Sequence, residues 1–216
     1  MFEKIIYAGI VFMGFSAIMN PFSGISIFLT LTANEDEQNA KKIARLSTIT
    51  AFTIVVIFAV AGHLLLDLFG VSFTALRLSG GILVALIGYE MLQGKPSLVN
   101  SPSKKSMEKT IKEEGSVAVT PLGIPLLAGP GVIITAMNFS TGGIVNLFIT
   151  ILAFALLCLI TYLFFIRGKK IKEIIGLNAL KALTRMMGLI LVVIGTQMLI
   201  EGVYSAVQEF PKINYF

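Results

Sequence analysis

From Gly115 to Ile166 the chain carries no charged residue. This run of 52 residues is more than twice the roughly 20 residues a helix needs to cross the hydrocarbon core of a bilayer. It must therefore hold two spans and a turn. The turn signal is Ser140–Gly143, "STGG", two flexible glycines after two small polar residues.

The same measure predicts six spans, at about 5–32, 43–66, 73–92, 117–139, 144–166 and 183–203. Composition supports this. Only 13% of residues are charged, where a soluble domain carries roughly 25%, and the mean hydropathy is +0.88. The expected class is an all-α transmembrane protein in a cell (inner) membrane, embedded in the lipid bilayer. No cleavable signal peptide is expected, because Glu3 and Lys4 precede an apolar run too long for one and no small-x-small cleavage site follows. Cys158 is the single cysteine, which excludes a disulfide framework within the chain and a cysteine-rich metal site.

The net charge of +5 is explained by its distribution. Six spans place both termini on one side, with Lys4, Arg77 and Lys212. The other fourteen Lys and Arg residues fall in loops 33–42, 94–116 and 167–182 and the adjoining helix ends. Lys and Arg are retained on the cytoplasmic side, so those loops are expected inside and the N- and C-termini outside. A nucleic-acid partner is not expected. Residues 94–116 read as a linker of Lys, Glu, Ser and Pro. Residues 167–182 read as a short amphipathic piece at the interface.

The two halves resemble each other. "RLSGGILV" (77–84) matches "RMMGLILV" (185–192) at five of eight positions, and "IGYEML" (87–92) matches "IGTQML" (194–199) at four of six. In register with these, Gly24-Ile25-Ser26 lies opposite Gly123-Ile124-Pro125. Three spans are odd in number, so a second copy enters the membrane inverted. The expected organisation is a first repeat over 1–93, the linker, and an inverted second repeat over 117–216. Inverted repeats of this kind are typical of secondary transporters.

Spans 1 and 4 also share a defect. "MNPFSGISIF" (19–28) and "TPLGIPLLAGPG" (120–131) put proline, glycine and small polar residues inside apolar stretches. Irregular backbone survives at membrane depth only where it packs in protein or lines a watery cavity. A broken helix presents N–H groups at one end, suited to a carboxylate, and carbonyls at the other, suited to an ammonium or Na⁺. Candidate substrate-binding residues are therefore Asn20, Pro21, Ser23, Gly24, Ser26, Thr120, Gly123, Gly129 and Gly131. Thr30, Thr135 and Asn138 extend this small polar set. Asn20 and Thr120 each precede a proline and can equally bond the backbone groups it frees.

Glu90, with Gln197 as its repeat counterpart, and His63 are candidates for ion or proton coupling. Snorkelling for Glu90 and a structural role for His63 are the alternatives. The glycines at 80, 81 and 88 and at 188 and 195 form small-residue faces that allow close helix packing, within a chain or in a homo-oligomer. There is one His and one Cys, with no G-x-S-x-G, Walker or H-E-x-x-H pattern. An enzyme is not expected, nor a bound cofactor or metal.

"MNPFSGISIFLTLT", "LRLSGGILVALIGYEML", "TPLGIPLLAGPG" and "GLNALKALTRMMGLILVVIGTQMLIEG" together resemble the MarC family of multi-pass membrane proteins, of the LysE-like exporter group. The resemblance covers nearly the whole chain. It departs at Asn20, where many members carry Asp, and at Ser26, where many carry Pro. It implies six spans with termini outside and transport of small neutral amino acids such as glycine and alanine, with H⁺ or Na⁺ coupling. Alternating access with the substrate at mid-membrane between the two breaks is the expected mechanism. Two alternatives stand beside it: an exporter of drug-like or other small apolar compounds, and a non-transporting membrane scaffold.

Overall fold

The computed structural model describes residues 2–33, 35–94 and 127–209. Among them there are helices and turns and no strand. Five stretches are long and apolar enough to cross a membrane: Phe2–Leu31, Glu37–Gly62, Phe73–Leu92, Ile144–Ile166 and Leu177–Gln208. In chain order the helices are α1 (Phe2–Met19), α2 (Pro21–Leu31), α3 (Glu37–Leu68), α4 (Phe73–Leu92), α5 (Pro130–Phe139), α6 (Ile144–Ile166), α7 (Gly168–Ile175) and α8 (Leu177–Glu209).

Local chemistry sets several of these boundaries. The Asp36 carboxylate accepts the Asn39 N–H at 2.6 Å, and Ser72 Oγ accepts the Ala75 N–H at 3.1 Å, so α3 and α4 begin with capped ends. The cap on α3 lets it start six residues before the expected apolar stretch. Between α5 and α6, Gly142 and Gly143 take φ of 88° and 118°, a conformation that other residues rarely adopt. The expected interfacial piece at 167–182 divides in two. Gly176, at φ 78°, ends α7, and the following residues join α8, which therefore begins before the expected 183. Of the expected fourth span, the part from Leu127 is described and contains the ten-residue α5. The linker beyond Gly94 lies outside the described residues.

The outer faces are apolar. Ile57, Leu64, Leu152, Leu156 and Val193 are all more than half exposed, a surface suited to lipid. Inside, Phe15 packs edge-on against Phe154 at 4.9 Å and Phe28 stacks on Phe165 at 4.6 Å. The first span packs on α6 and α8, α5 packs on α3 and α4, and α3 packs on α6.

The closest contact is between α4 and α8, which run antiparallel. A Cβ at Gly88 would sit 2.6 Å from Gly188 O, and one at Gly195 would sit 2.7 Å from Gly81 O. The two backbones therefore touch. Lipid is as apolar as leucine, so helices gain association energy from such close packing. The small-residue faces are thus used inside the chain. Replacing Gly88 with Ala drives a methyl group into backbone, which cannot swing aside. Gly88→Ala is expected to lower stability by about 1–3 kcal/mol, read as a lower melting temperature in detergent. Gly9→Ala, where a Cβ meets nothing within 4 Å, should leave melting unchanged.

Candidate functional site

The first span changes helix at Asn20. α1 ends at Met19 and α2 starts at Pro21. Proline has no N–H, so it cannot bond the carbonyl of Ala17. Asn20 takes a left-handed conformation, φ 40° and ψ 75°, and among the described residues no other non-glycine has positive φ. Asparagine tolerates this region better than most residues. Its Oδ1 accepts the Ser23 N–H at 3.3 Å, and Ser23 Oγ donates to Asn20 O at 3.2 Å. The asparagine thus caps α2 from inside the protein, where it is 2% exposed.

α5 lies alongside. Phe139 packs against Phe15, and its carbonyl accepts a hydrogen bond from Tyr7 OH. At the other end of α5 a Cβ at Gly131 would lie 3.7 Å from Ile18 Cγ2. α5 is therefore antiparallel to α1, and its N-terminus lies level with the Asn20 turn. Its N-cap is Gly129, which offers no side-chain bond. Two helix N-termini, those of α2 and α5, converge in the interior. Asn20 caps the first, Gly129 gives the second no side-chain cap, and each carries a partial positive charge.

Three buried polar atoms here have no hydrogen-bond partner among the described residues: Ser16 Oγ, Asn20 Nδ2 and Thr135 Oγ1. Ser16 lies one turn before Asn20. Thr135 lies one turn after Gly131, on the face turned to α1. The contrast with other hydroxyls is informative. Those of Thr30, Thr48, Thr150 and Thr161 all donate to a carbonyl one turn back. Ser16 and Thr135 do not. An unpartnered buried polar group costs about 1–3 kcal/mol, so three within about one turn of each other stand out among the described residues.

The other expected residues fall as follows. Pro21 starts α2. Gly24 is buried against Phe165, whose ring a Cβ would approach to 3.1 Å. Ser26 is half-buried, and its carbonyl accepts from Thr30. Gly129 and Gly131 lead into α5. Thr120 and Gly123 lie outside the described residues. Glu90 is half-buried and engaged with another residue. It stands one turn beyond Ile87, whose Cδ1 would lie 2.9 Å from a Cβ at Gly131. His63 lies near the far end of α3, beside Gly62, which packs on Met137. Sequence reasoning passed over Ser16 and used Thr135 only as an extra polar residue. Their signal is the absence of a back-bond, which needs coordinates.

A second polar group was also unforeseen. Arg77 Nε donates to Asn138 Oδ1 at 2.8 Å, and the guanidinium lies 3.8 Å from Glu201 and 5.0 Å over the Phe73 ring. Gln197 Nε2 donates to Glu201 at 3.1 Å. These contacts tie α4, α5 and α8 together at the end of the bundle away from Asn20.

Residues 4–207 match the MarC family integral membrane proteins, and the chain belongs to that family. Among its relatives, the UPF0056 membrane protein YvbG of Bacillus subtilis is 38% identical over 94% of this chain and 95% of its own length. The UPF0056 membrane protein PH0760 of Pyrococcus horikoshii is 39% identical over 95% of this chain and 98% of its own length. The UPF0056 inner membrane protein MarC of Escherichia coli is 30% identical over 89% of this chain and 92% of its own length. No solved structure matches. The chain is an integral membrane protein.

Replacing Asn20 separates its two roles. Asn20→Ala loses the cap and leaves in left-handed backbone a residue that tolerates it less well than asparagine, with an expected cost of about 2–4 kcal/mol. Asn20→Gly loses only the cap, about 1–3 kcal/mol. In thermal unfolding the glycine variant should melt above the alanine variant and below the parent.

Proposed function

We propose that this protein is a secondary transporter of small neutral amino acids, of the glycine and alanine class, working by alternating access. The supporting observation is the set of three unpartnered polar atoms where the N-termini of α2 and α5 converge. An amino acid zwitterion suits that place. Its carboxylate meets N–H groups, the positive ends of two helix dipoles and Asn20 Nδ2. The hydroxyls of Ser16 and Thr135 accept from its ammonium, and Ile18 and Ile87 close around Gly131, which favours a small side chain.

Reciprocal packing supports an inverted repeat beneath this site. Sequence matching pairs Gly80 with Gly188, Gly88 with Gly195 and Met91 with Met198. The contacts exchange accordingly. A Cβ at Gly188 would lie 2.9 Å from Met91 Cβ, and one at Gly80 would lie 3.3 Å from Met198 Cε. Gly88 meets Gly188, while Gly195 meets Gly81. At the level of spans, the first packs on α6 and α8 and the fourth on α3 and α4. A two-fold axis in the membrane plane between the two repeats would give this exchange. In this reading there are six spans, with spans 1 and 4 broken. The Lys- and Arg-rich end, with loops 33–42, 94–116 and 167–182, is cytoplasmic, and the termini are outside. Glu90 and His63 are the titratable groups available for H⁺ or Na⁺ coupling. The Arg77–Asn138–Glu201 group holds the outer end shut, and its release opens the site outward.

The test is uptake of radiolabelled glycine and alanine into proteoliposomes, paired with Thr135→Val. The substitution exchanges an unpartnered hydroxyl for a methyl group of the same shape. Stability of the unloaded protein should hold or rise, while affinity for glycine or alanine should fall about tenfold, the worth of one hydrogen bond. Absence of uptake by the parent protein, or unchanged affinity in the variant, would sink the assignment.

A further inference from the structure

A separate groove opens between α3 and α6. Its volume is about 430 Å³, within the roughly 300–1,000 Å³ of small-molecule sites. Arg45, Ile49 and Phe52 line one wall, and Ala155, Leu159 and Tyr162 line the other. The antiparallel register puts Arg45 opposite Tyr162 at one end and Phe52 opposite Ala155 at the other. From Arg45 to Phe52 the groove runs about 10 Å along the helix axis. Ile49 and Leu159 are 49% and 55% exposed, so the groove faces the surrounding lipid and not the interior near Asn20.

Its chemistry is sharply divided. Everything below Arg45 and Thr48 is apolar, and the Thr48 hydroxyl is already bonded to the carbonyls of Ala44 and Arg45. Arg45 has no ion-pair partner among the described residues. Glu37, at the start of the same helix, lies further out. Glu37 pairs with Lys41 at 2.7 Å and also feels Lys169. Arg45 stands eight residues, about 12 Å, deeper along α3 than Glu37. Tyr162 lies within electrostatic reach of Lys41. The mouth is thus positive with a phenol beside it, and the body is greasy.

We propose that this groove binds an anionic phospholipid, with the phosphate at Arg45 and Tyr162 and one acyl chain running down between Ile49 and Leu159. Arginine suits phosphate, to which it donates two parallel bonds. Basic pockets between membrane helices are known to take anionic headgroups. A free amino acid fits poorly, since one of its two charges would lie against apolar walls. A span of a second copy fits poorly too, because a slot of about 10 Å is a third of the length such a helix needs.

The experiment is native mass spectrometry of the full chain, released from micelles holding equal phosphatidylglycerol and phosphatidylcholine. Phosphatidylglycerol should be retained about fivefold over phosphatidylcholine, the effect of one well-placed cation near the headgroup. Arg45→Gln is at an exposed position and should remove that preference with melting unchanged. Lys4→Gln, at the opposite end of the bundle, should leave it intact. Equal retention of the two lipids by the parent would overturn the proposal. So would an equal loss in both variants, which indicates diffuse surface charge, or a dimer that carries no lipid, which indicates a second copy in the groove.

Discussion

In hydrocarbon no water is present to take an unpaired N–H or C=O, and each one left open costs several kcal/mol. The turn at Asn20 exists under that constraint. Proline removes one helical bond, the left-handed residue redirects the chain, and the asparagine side chain supplies the acceptor that Ser23 N–H would otherwise lack. The repair is incomplete by one amide nitrogen. The helices around it are placed so that α5 brings its own uncapped N-terminus to the same level. A region that packing alone would fill with leucine is instead held polar, and its neighbours Ser16 and Thr135 forgo the back-bonds that other helical hydroxyls make.

Such a site needs a rigid frame. α4 and α8 provide one side, locked backbone to backbone through four glycines. Where two helices touch this closely, neither can slide without a clash, so they move as a unit. Ile87 projects from that unit to Gly131 at the start of α5. Any rotation of the α4–α8 pair is therefore felt at the convergence of helix ends. At the far end Arg77 couples the same pair to Asn138 on α5. The bundle thus has a stiff element, a short helix leaning on it, and a polar tie between them.

Much of this was legible in the residues. The span count of the described region, the turn at Ser140–Gly143 and the interruption at Asn20-Pro21 follow from charge, length and proline chemistry, which act locally. Gly80, Gly88, Gly188 and Gly195 could be seen as small faces, but whether they met inside the chain or between chains could not. Gly24 looked like an opening for a ligand, and the fold covers it with Phe165. Arg77 looked like a marker of sidedness, yet it makes the principal polar tie of its end of the bundle. In each case the missing information was which helix lies alongside, and periodicity within one helix does not contain it.

By itself the sequence determined that the chain lives in a membrane, roughly where its long apolar helices lie, and that a proline stands inside its first apolar stretch. These depend on the transfer of side chains to lipid and on the missing proline N–H, both fixed by composition and order. Only the tertiary structure decided which polar atoms remain without partners. Thr135 and Thr150 are the same residue type in similar helices. Thr150 bonds back to the Asn146 carbonyl and Thr135 Oγ1 has no partner among the described residues, a difference set by the packing around each helix and not by the residue type.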